Sequence, residues 1–226
     1  GIIRNCSFIG NVSGGEQAIG GIVGYIWQSG SVIDCYHNGT ITSNSGKIIG
    51  GVVGNIYTSE SEKSNTILIQ NCYHVGTLSG ANDAMGTIAG IVSVDTKHKS
   101  IITIENCYAL QGEGNAIGSG KANPQDITLL KPALMKLVAS SLGPSYKKNI
   151  DDSFNSGYPI LNWQNSVTGD CNDDGKFTIA DVVMLQKWLL AISNAKLINW
   201  QATDLNEDEK INVFDLALIK QMLINQ

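Results

Sequence analysis

Between residue 1 and about residue 121 the apolar positions fall in short β-branched runs with no helical period. GGIVGY (20–25), GGVVGN (50–55) and AGIVSV (89–94) lie between Gly, Asn and Ser, the pattern of short strands closed by turns. These runs belong to an internal repeat. NCSFIGNVSG, DCYHNGTITS, NCYHVGTLSG and NCYALQGEG recur, anchored on Cys6, Cys35, Cys72 and Cys107 at spacings of 29, 37 and 35 residues. A repeat of this length holding several short strands predicts a β-solenoid, parallel β-helix-like, with one coil per repeat over 1–121. From Lys121 the pattern changes: Leu129, Leu130, Leu134, Leu137 and Val138 follow a helical spacing, Asp126 and Thr128 can cap it, Pro132 suits a first turn and Gly143 a stop. With the strand expected in NSGYPILNW (155–163), this helix predicts a C-terminal cap over 122–165 that covers the last coil's open edge.

The remaining stretch, 166–226, holds two 12-residue segments that start 34 residues apart, DCNDDGKFTIAD (170–181) and DLNEDEKINVFD (204–215). Each places oxygen-bearing side chains at positions 1, 3, 5, 9 and 12, with position 7 lending a main-chain carbonyl, the spacing that wraps a hard cation. The first set is Asp170, Asn172, Asp174, Lys176 (main chain), Thr178 and Asp181; the second is Asp204, Asn206, Asp208, Lys210 (main chain), Asn212 and Asp215. Two sets in register predict two Ca²⁺ ions. Each segment runs into an amphipathic helix, carried by Val182, Val183, Leu185, Leu189 and Leu190 after the first and by Leu216, Ile219 and Leu223 after the second. The sequence YPILNWQNSVTG before Asp170 has no such period, so entering helices are expected to be missing and a calcium sensor is disfavoured.

Loop then exit helix, repeated, resembles the dockerin module of cellulosomes, and ADVVMLQKWLLA and NVFDLALIKQML resemble dockerins of fibre-degrading anaerobes. The resemblance covers about 168–224. It implies a small all-α, calcium-binding dockerin whose partner is a cohesin domain on a scaffold or cell-surface protein. The family's recognition positions fall on Ile179, Ala180, Gln186 and Lys187 in the first repeat and on Val213, Phe214, Lys220 and Gln221 in the second; Val183 joins them on the first helix. Ile-Ala against Val-Phe is asymmetric, which implies one preferred docking orientation. Position 6, which needs a positive φ, is Gly175 in the first loop and Glu209 in the second, so the second site is expected to be the weaker. The repeats of 1–121 resemble the GLUG repeats of bacterial secreted and surface proteins, which implies a spacer or adhesin-like role.

Charge changes little in this picture. Of the net charge of −5, nine acids and five bases lie from Ser166 onward, with the calcium segments. Nothing is basic enough for nucleic acid, and no apolar run reaches the roughly 18 residues of a membrane helix. Five cysteines are an odd number; free thiols packed as small hydrophobes are expected, with Cys171 at a non-ligating position. His37 and His74 follow Cys35 and Cys72 by two residues and are expected to stack as a partly exposed pair, while His98 is expected to be solvated. Arg4 is the sole arginine, no GxSxG or HExxH is present, and the acids Glu16, Asp34, Glu60, Glu62, Asp83, Asp95, Glu105 and Glu113 occupy different repeat positions. Paired carboxylates for glycoside cleavage are therefore not expected to converge, and no catalytic residue is assigned.

The chain reads as the C-terminal piece of a longer extracellular protein: a capped β-solenoid followed by a dockerin. No Pro/Thr-rich linker precedes the dockerin, so it is expected to pack against the solenoid end, with Trp163 near the contact. The alternatives are a carbohydrate-binding or adhesin solenoid, touching polysaccharide or a cell-surface ligand, and a carbohydrate-active enzyme fragment whose site lies on the solenoid or upstream.

Overall fold

The computed structural model of the chain describes residues 1–14, 17–44, 48–59, 64–80, 84–94, 100–122, 125–164 and 167–225. It divides into two compact units, Gly1–Leu161 and Asn162–Gln226, each with its own core.

In the first unit the Gly- and Asn-bounded runs form strands that pair in parallel with the equivalent strands of the next repeat. One sheet runs through Ile2–Arg4, Gly30–Ile33, Thr66–Gln70 and Ile101–Leu110, then returns through Tyr73–Val75, Tyr36–Asn38 and Ser7–Ile9. It folds back on itself because Ile101–Leu110 is long enough to pair with both Thr66–Gln70 and Tyr73–Val75. A second sheet orders Ala18–Gly20, Ile48–Gly50, Ala84–Ser93, Val53–Tyr57 and Val23–Trp27, and a third stacks Val12–Gly14, Ile41–Ser43 and Leu78–Gly80. Registers follow the repeat, so that Tyr36 faces Tyr73 and Cys35 and Cys72 lie on successive rungs. This parallel stacking is compatible with the expected solenoid. Val32, Val53, Ile56, Ile67, Ile69, Ile88 and Ile104 fill the space between the first two sheets, the burial that ordering these short strands requires.

Identical residues recur on each rung for steric reasons. Asn5, Asp34, Asn71 and Asn106 hold φ of 54°, 54°, 54° and 50° at the turn before each cysteine, a conformation that Asn and Asp tolerate better than other non-glycine residues. Their side chains also bond rung to rung: Asn71 Nδ2 donates to Asp34 Oδ1 at 2.8 Å and Asn106 Nδ2 to Asn71 Oδ1 at 2.8 Å. The cysteines are free thiols, with Cys35, Cys72 and Cys107 buried and Cys6 exposed on the first rung. Each Sγ–H donates to the carbonyl two residues earlier, at 3.1–3.3 Å.

His37 and His74 stack, as the repeat predicts, but they are buried rather than partly exposed. The space comes from Gly21 and Gly51, where a Cβ would overlap the rings of His37 and His74 respectively. On the ladder Gly21–Gly51–Thr87 the third member is threonine, and on the ladder Phe8–His37–His74–Ala109 the fourth is alanine.

The segment after Lys121 departs from expectation in two ways. Gln125–Leu130 is a strand that joins Ile101–Leu110 in parallel, so Leu129 and Leu130 obey strand pairing and not a helix. The helical part begins only at Pro132 and splits into α1 (Pro132–Met135) and α2 (Ala139–Leu142). The expected closing strand is Ile160–Leu161, paired antiparallel with Tyr146–Lys147. Gln125–Leu130 covers the edge of the last coil, but from Pro132 onward the segment lies along the side of the repeats. Met135, Val138, Leu142, Tyr146, Tyr158 and Leu161 pack on Tyr36 and Tyr73, whose rings stack at 4.7 Å. Its polar groups reach three successive rungs: Ser145 Oγ donates to Asp34, Tyr146 Oη to the Asn71 carbonyl, and Ser141 accepts from Asn106, each at 2.8 Å. The physical cause is the tyrosine after Cys35, Cys72 and Cys107, which points away from the Ile/Val core and needs a cover of its own.

The second unit is two loop–helix repeats. The loops lead into α3 (Ile179–Leu189) and α5 (Val213–Ile224), with one helical turn, α4 (Trp200–Thr203), between them. Its core gathers Cys171, Val182, Leu185 and Ile219, with Phe177, Leu205, Ile211, Leu216 and Leu223 around them.

Candidate metal centre

Both 12-residue segments fold the same way, and the reason lies in their short polar side chains. Position 1 accepts from the backbone of positions 5 and 6: Asp170 from Asp174 N (3.2 Å) and Gly175 N (2.8 Å), Asp204 from Asp208 N (3.2 Å) and Glu209 N (2.8 Å). Position 3 accepts from position 5, Asn172 from Asp174 N and Asn206 from Asp208 N. Position 5 accepts from position 7, Asp174 from Lys176 N and Asp208 from Lys210 N. These local bonds are what Asp and Asn offer in turns.

Position 9 and position 12 then fuse the loop to the helix. Thr178 and Asn212 are the N-caps of α3 and α5, accepting from Ala180 N and Phe214 N, while Asp181 and Asp215 return a bond to the cap backbone at 2.8 Å each. This reciprocal arrangement satisfies the orphan amides of both helix starts. The other oxygen of Asp181 accepts from Asn172 N at 3.3 Å and that of Asp215 from Leu205 N at 3.0 Å, tying the end of each loop to its beginning.

Asp170, Asp181 and Asp215 are almost wholly buried. No lysine or arginine pairs with them among the described residues. Burial pushes the Asp170 carboxyl up from its usual range; the amides of Gly175 and Asp174 oppose this, and the nearby Asp181 and Asp174 charges add to it. Buried carboxylates near one another without a counter-ion are a poor arrangement alone, and hard oxygen donors of this kind suit Ca²⁺. The donor set therefore fits the cation. Among the described residues no three His, Cys, Asp or Glu side chains close on one point; the carboxylate oxygens face the loop amides.

Position 6 has positive φ in both loops, 82° at Gly175 and 60° at Glu209, and position 4 does too, 57° at Asp173 and 56° at Glu207. The loops differ, then, in side chain and not in backbone path. Position 2 is apolar and enters the core in both, as Cys171 and Leu205, and so does position 8, as Phe177 and Ile211. The pattern-level signal for these was present in the sequence but is overshadowed by the ligand spacing. Cys171 is a core residue, its thiol pushed up to about 11 by burial.

The nine candidate docking residues are all exposed. On α3, Ile179, Ala180, Val183, Gln186 and Lys187 recur at three- and four-residue spacing; on α5, Lys220 and Gln221 follow Val213 and Phe214 at seven residues, two helical turns on. Ile179, Val213 and Phe214 are more than 60 % exposed, large apolar side chains that a lone helix would turn inward. Val183 and Leu190, which the apolar period assigns to the core, are exposed as well, whereas Val182 and Leu185 are buried. Among the described residues the first loop has no entering helix. The second has the single turn of α4, capped by Asn199, which the sequence reading missed; the backbone N–H groups of Ile198 and Asn199 bond to the Cys171 carbonyl, joining it to the first loop.

In the repeat unit, Asp34 belongs to the asparagine ladder, and Glu105 accepts from Gln70 at 2.6 Å. Glu16, Glu60, Glu62, Asp83, Asp95 and His98 lie outside the described residues. No described helix is long and apolar enough to cross a membrane.

Residues 168–224 match the model of the Dockerin type I domain, and residues 15–42 match that of the GLUG motif. The chain thus carries both, in the order the sequence implies. No curated protein matches the chain, and no solved structure does.

Proposed function

We propose that the C-terminal unit is a calcium-dependent docking module that attaches an extracellular protein to a cohesin domain of a cellulosome-type scaffold or of a cell-surface protein. Two Ca²⁺ ions would be held, one by Asp170, Asn172, Asp174, the Lys176 carbonyl, Thr178 and Asp181, the other by Asp204, Asn206, Asp208, the Lys210 carbonyl, Asn212 and Asp215. The ion supplies the positive charge that lets these oxygens converge. The chain's own contribution is the joint between loop and helix: Asp181 and Asp215 each bond to the loop start and to the N-cap. Ordering a loop therefore fixes the pitch of its helix and with it the exposed stripe.

The observation that carries this reading is the duplicated bonding of the two loops, each leading directly into a helix with unsatisfied apolar residues on its surface. The stripes differ, Ile179 and Ala180 against Val213 and Phe214, which supports one preferred docking orientation. The repeats of 1–121 serve as an adjoining solenoid module of structural or adhesive kind, and no catalytic role is assigned to them. Calorimetry of the full chain against a panel of cohesins, with calcium and with EDTA, tests the proposal. Tight binding that chelation abolishes is the expected result; calcium uptake with no cohesin bound would sink it.

A further inference from the structure

The first two rungs of the repeat unit carry an aromatic surface that the repeat does not demand. Tyr25 and Trp27 stand on Val23–Trp27, and Tyr57 ends Val53–Tyr57, beside Trp27 in register. The Tyr25 and Trp27 rings lie 5.9 Å apart and 27° from parallel, and Trp27 and Tyr57 lie 5.3 Å apart at 52°. The cysteine ladder keeps its residue on every rung, and the asparagine ladder varies only to aspartate at Asp34. Here the next rung has Ile91 in register with Asn55 and Ser93 with Tyr57, so the rings do not continue onto it. They are also outside the core: Trp27 is 60 % exposed and Tyr25 38 %. An indole held on a strand and left in water is a poor arrangement unless something covers it.

What covers it can be read from the neighbours. A cleft of about 380 Å³ lies against Tyr25 and Trp27 and is completed by Gln17, Ala18 and Gly24, none of which bears a charge. Two amide oxygens at adjoining positions are buried and without a hydrogen-bond partner, Gln28 Oε1 next to Trp27 and Asn55 Oδ1 in register with Tyr25. Gln28 also holds a φ of 68°, where the other rung-to-rung turns use Asn or Asp. An unpaired buried acceptor is unfavourable until a donor reaches it. Flat aromatic faces, spare carbonyl acceptors and no ionic group among the described lining residues together call for a ligand with a flat C–H face and several O–H donors. A proline-rich peptide offers the flat face but lacks the donors, and an acidic or basic polymer finds no counter-charge among the described residues.

We propose that Tyr25, Trp27 and Tyr57 form a binding platform for an uncharged glycan. A sugar ring lies on the indole with its C–H face toward the negative π cloud, and its hydroxyl groups donate to the amides of Gln17, Gln28 and Asn55, which turn about their terminal bonds to meet them. This follows the usual division in a ligand site, aromatic walls for affinity and a few amides for orientation. The rung spacing of roughly 4.8 Å sets Trp27 and Tyr57 beneath neighbouring parts of one chain molecule.

The test is calorimetry of the full calcium-loaded chain with cellohexaose, xylohexaose, mannohexaose, hexagalacturonate and deca-proline. At least one neutral hexasaccharide should bind with a Kd on the order of 0.1 mM. Trp27→Ala should weaken it by about tenfold or more, and Trp27→Phe by no more than about threefold; the exposed position makes either variant foldable, which thermal melting verifies. Three results would overturn the proposal: no neutral hexasaccharide bound at about 5 mM, binding that Trp27→Ala leaves unchanged, or a preference for hexagalacturonate or deca-proline.

Discussion

The imidazole rings of His37 and His74 lie face to face, 5.1 Å between centroids and 5° from parallel, with their Nδ1 atoms 3.1 Å apart. The tautomers follow from one carbonyl. His37 Nε2 is 2.9 Å from the Gly10 carbonyl and donates to it, so its Nδ1 is an acceptor and His74 Nδ1–H is the donor between the rings. Both rings are neutral in this arrangement. Burial pushes the His37 imidazolium down, and burial together with the neighbouring His37 pushes that of His74 down to about 3.

The unfolded chain therefore binds protons more readily, since its imidazoles titrate near about 6.5. Stability from this pair is fully present above that value and is lost as pH falls toward 3. At pH 4 the loss from His74 alone should be on the order of 3 kcal/mol. Thermal unfolding of the calcium-loaded chain between pH 7 and 4 measures it. The double variant His37→Gln, His74→Gln should show a clearly flatter profile; an unchanged one would remove the pair as the cause.

Asn71 does two jobs at once, holding a φ of 54° and bonding to Asp34 and Asn106. Asn71→Ala loses both and should destabilise the chain by about 2–4 kcal/mol in urea unfolding. Asn71→Gly keeps the backbone unstrained and should lose only about half as much. Equal losses would show that the side-chain bonds alone matter.

Tyr73 is the anchor of the flanking segment. Its hydroxyl donates to the Pro159 carbonyl and accepts from Asn155 Nδ2 at 2.7 Å, deep in the protein. Tyr73→Phe removes both bonds, while Asn155 Nδ2 still donates to the Pro159 carbonyl at 2.9 Å, and should cost about 1 kcal/mol. Hydrogen exchange should quicken over 146–161 more than over the Ile/Val core, because α1, α2 and the short antiparallel pair rest on this tyrosine stack.

Glu209 occupies a backbone position, φ 60°, that Gly175 fills in the sister loop. Glu209→Gly should relieve about 1 kcal/mol of strain and raise calcium affinity at the second loop several-fold, with the first loop unchanged. Calorimetric titration of calcium resolves the two sites. No gain, or a loss, would show that the Glu209 carboxylate helps the ion more than its backbone hinders it.

Much of this was legible in the chain. The loop–helix repeat of 170–181 and 204–215, the exit helices and the registry of Cys6, Cys35, Cys72 and Cys107 all follow from local periodicity. What was not legible depends on partners distant in sequence. Leu129 and Leu130 sit at helical spacing from Leu134 and Leu137, and only the free edge of Ile101–Leu110 makes them a strand. Pro132 and the bend before Ala139 then divide what looks like one helix. The flanking segment was expected over the last coil; Gln125–Leu130 does pair there, yet from Pro132 onward the tyrosines after Cys35 and Cys72 pull it sideways. Burial of His37 and His74 rests on Gly21 and Gly51, which stand 16 and 23 residues before them, an interval too irregular to read as a pattern.

The glycine–histidine fit also gives the repeats an order. A ring at His37 or His74 needs a bare backbone at Gly21 or Gly51, whereas the rung with Thr87 is followed by one with the small Ala109. Bulk on one ladder and vacancy on the other are handed along together. Repeats that look interchangeable are therefore keyed like wards in a lock. Shuffling them, or duplicating the second after the third, would drive an imidazole into a threonine, so the array can grow by copying only where lock and key are copied as neighbours.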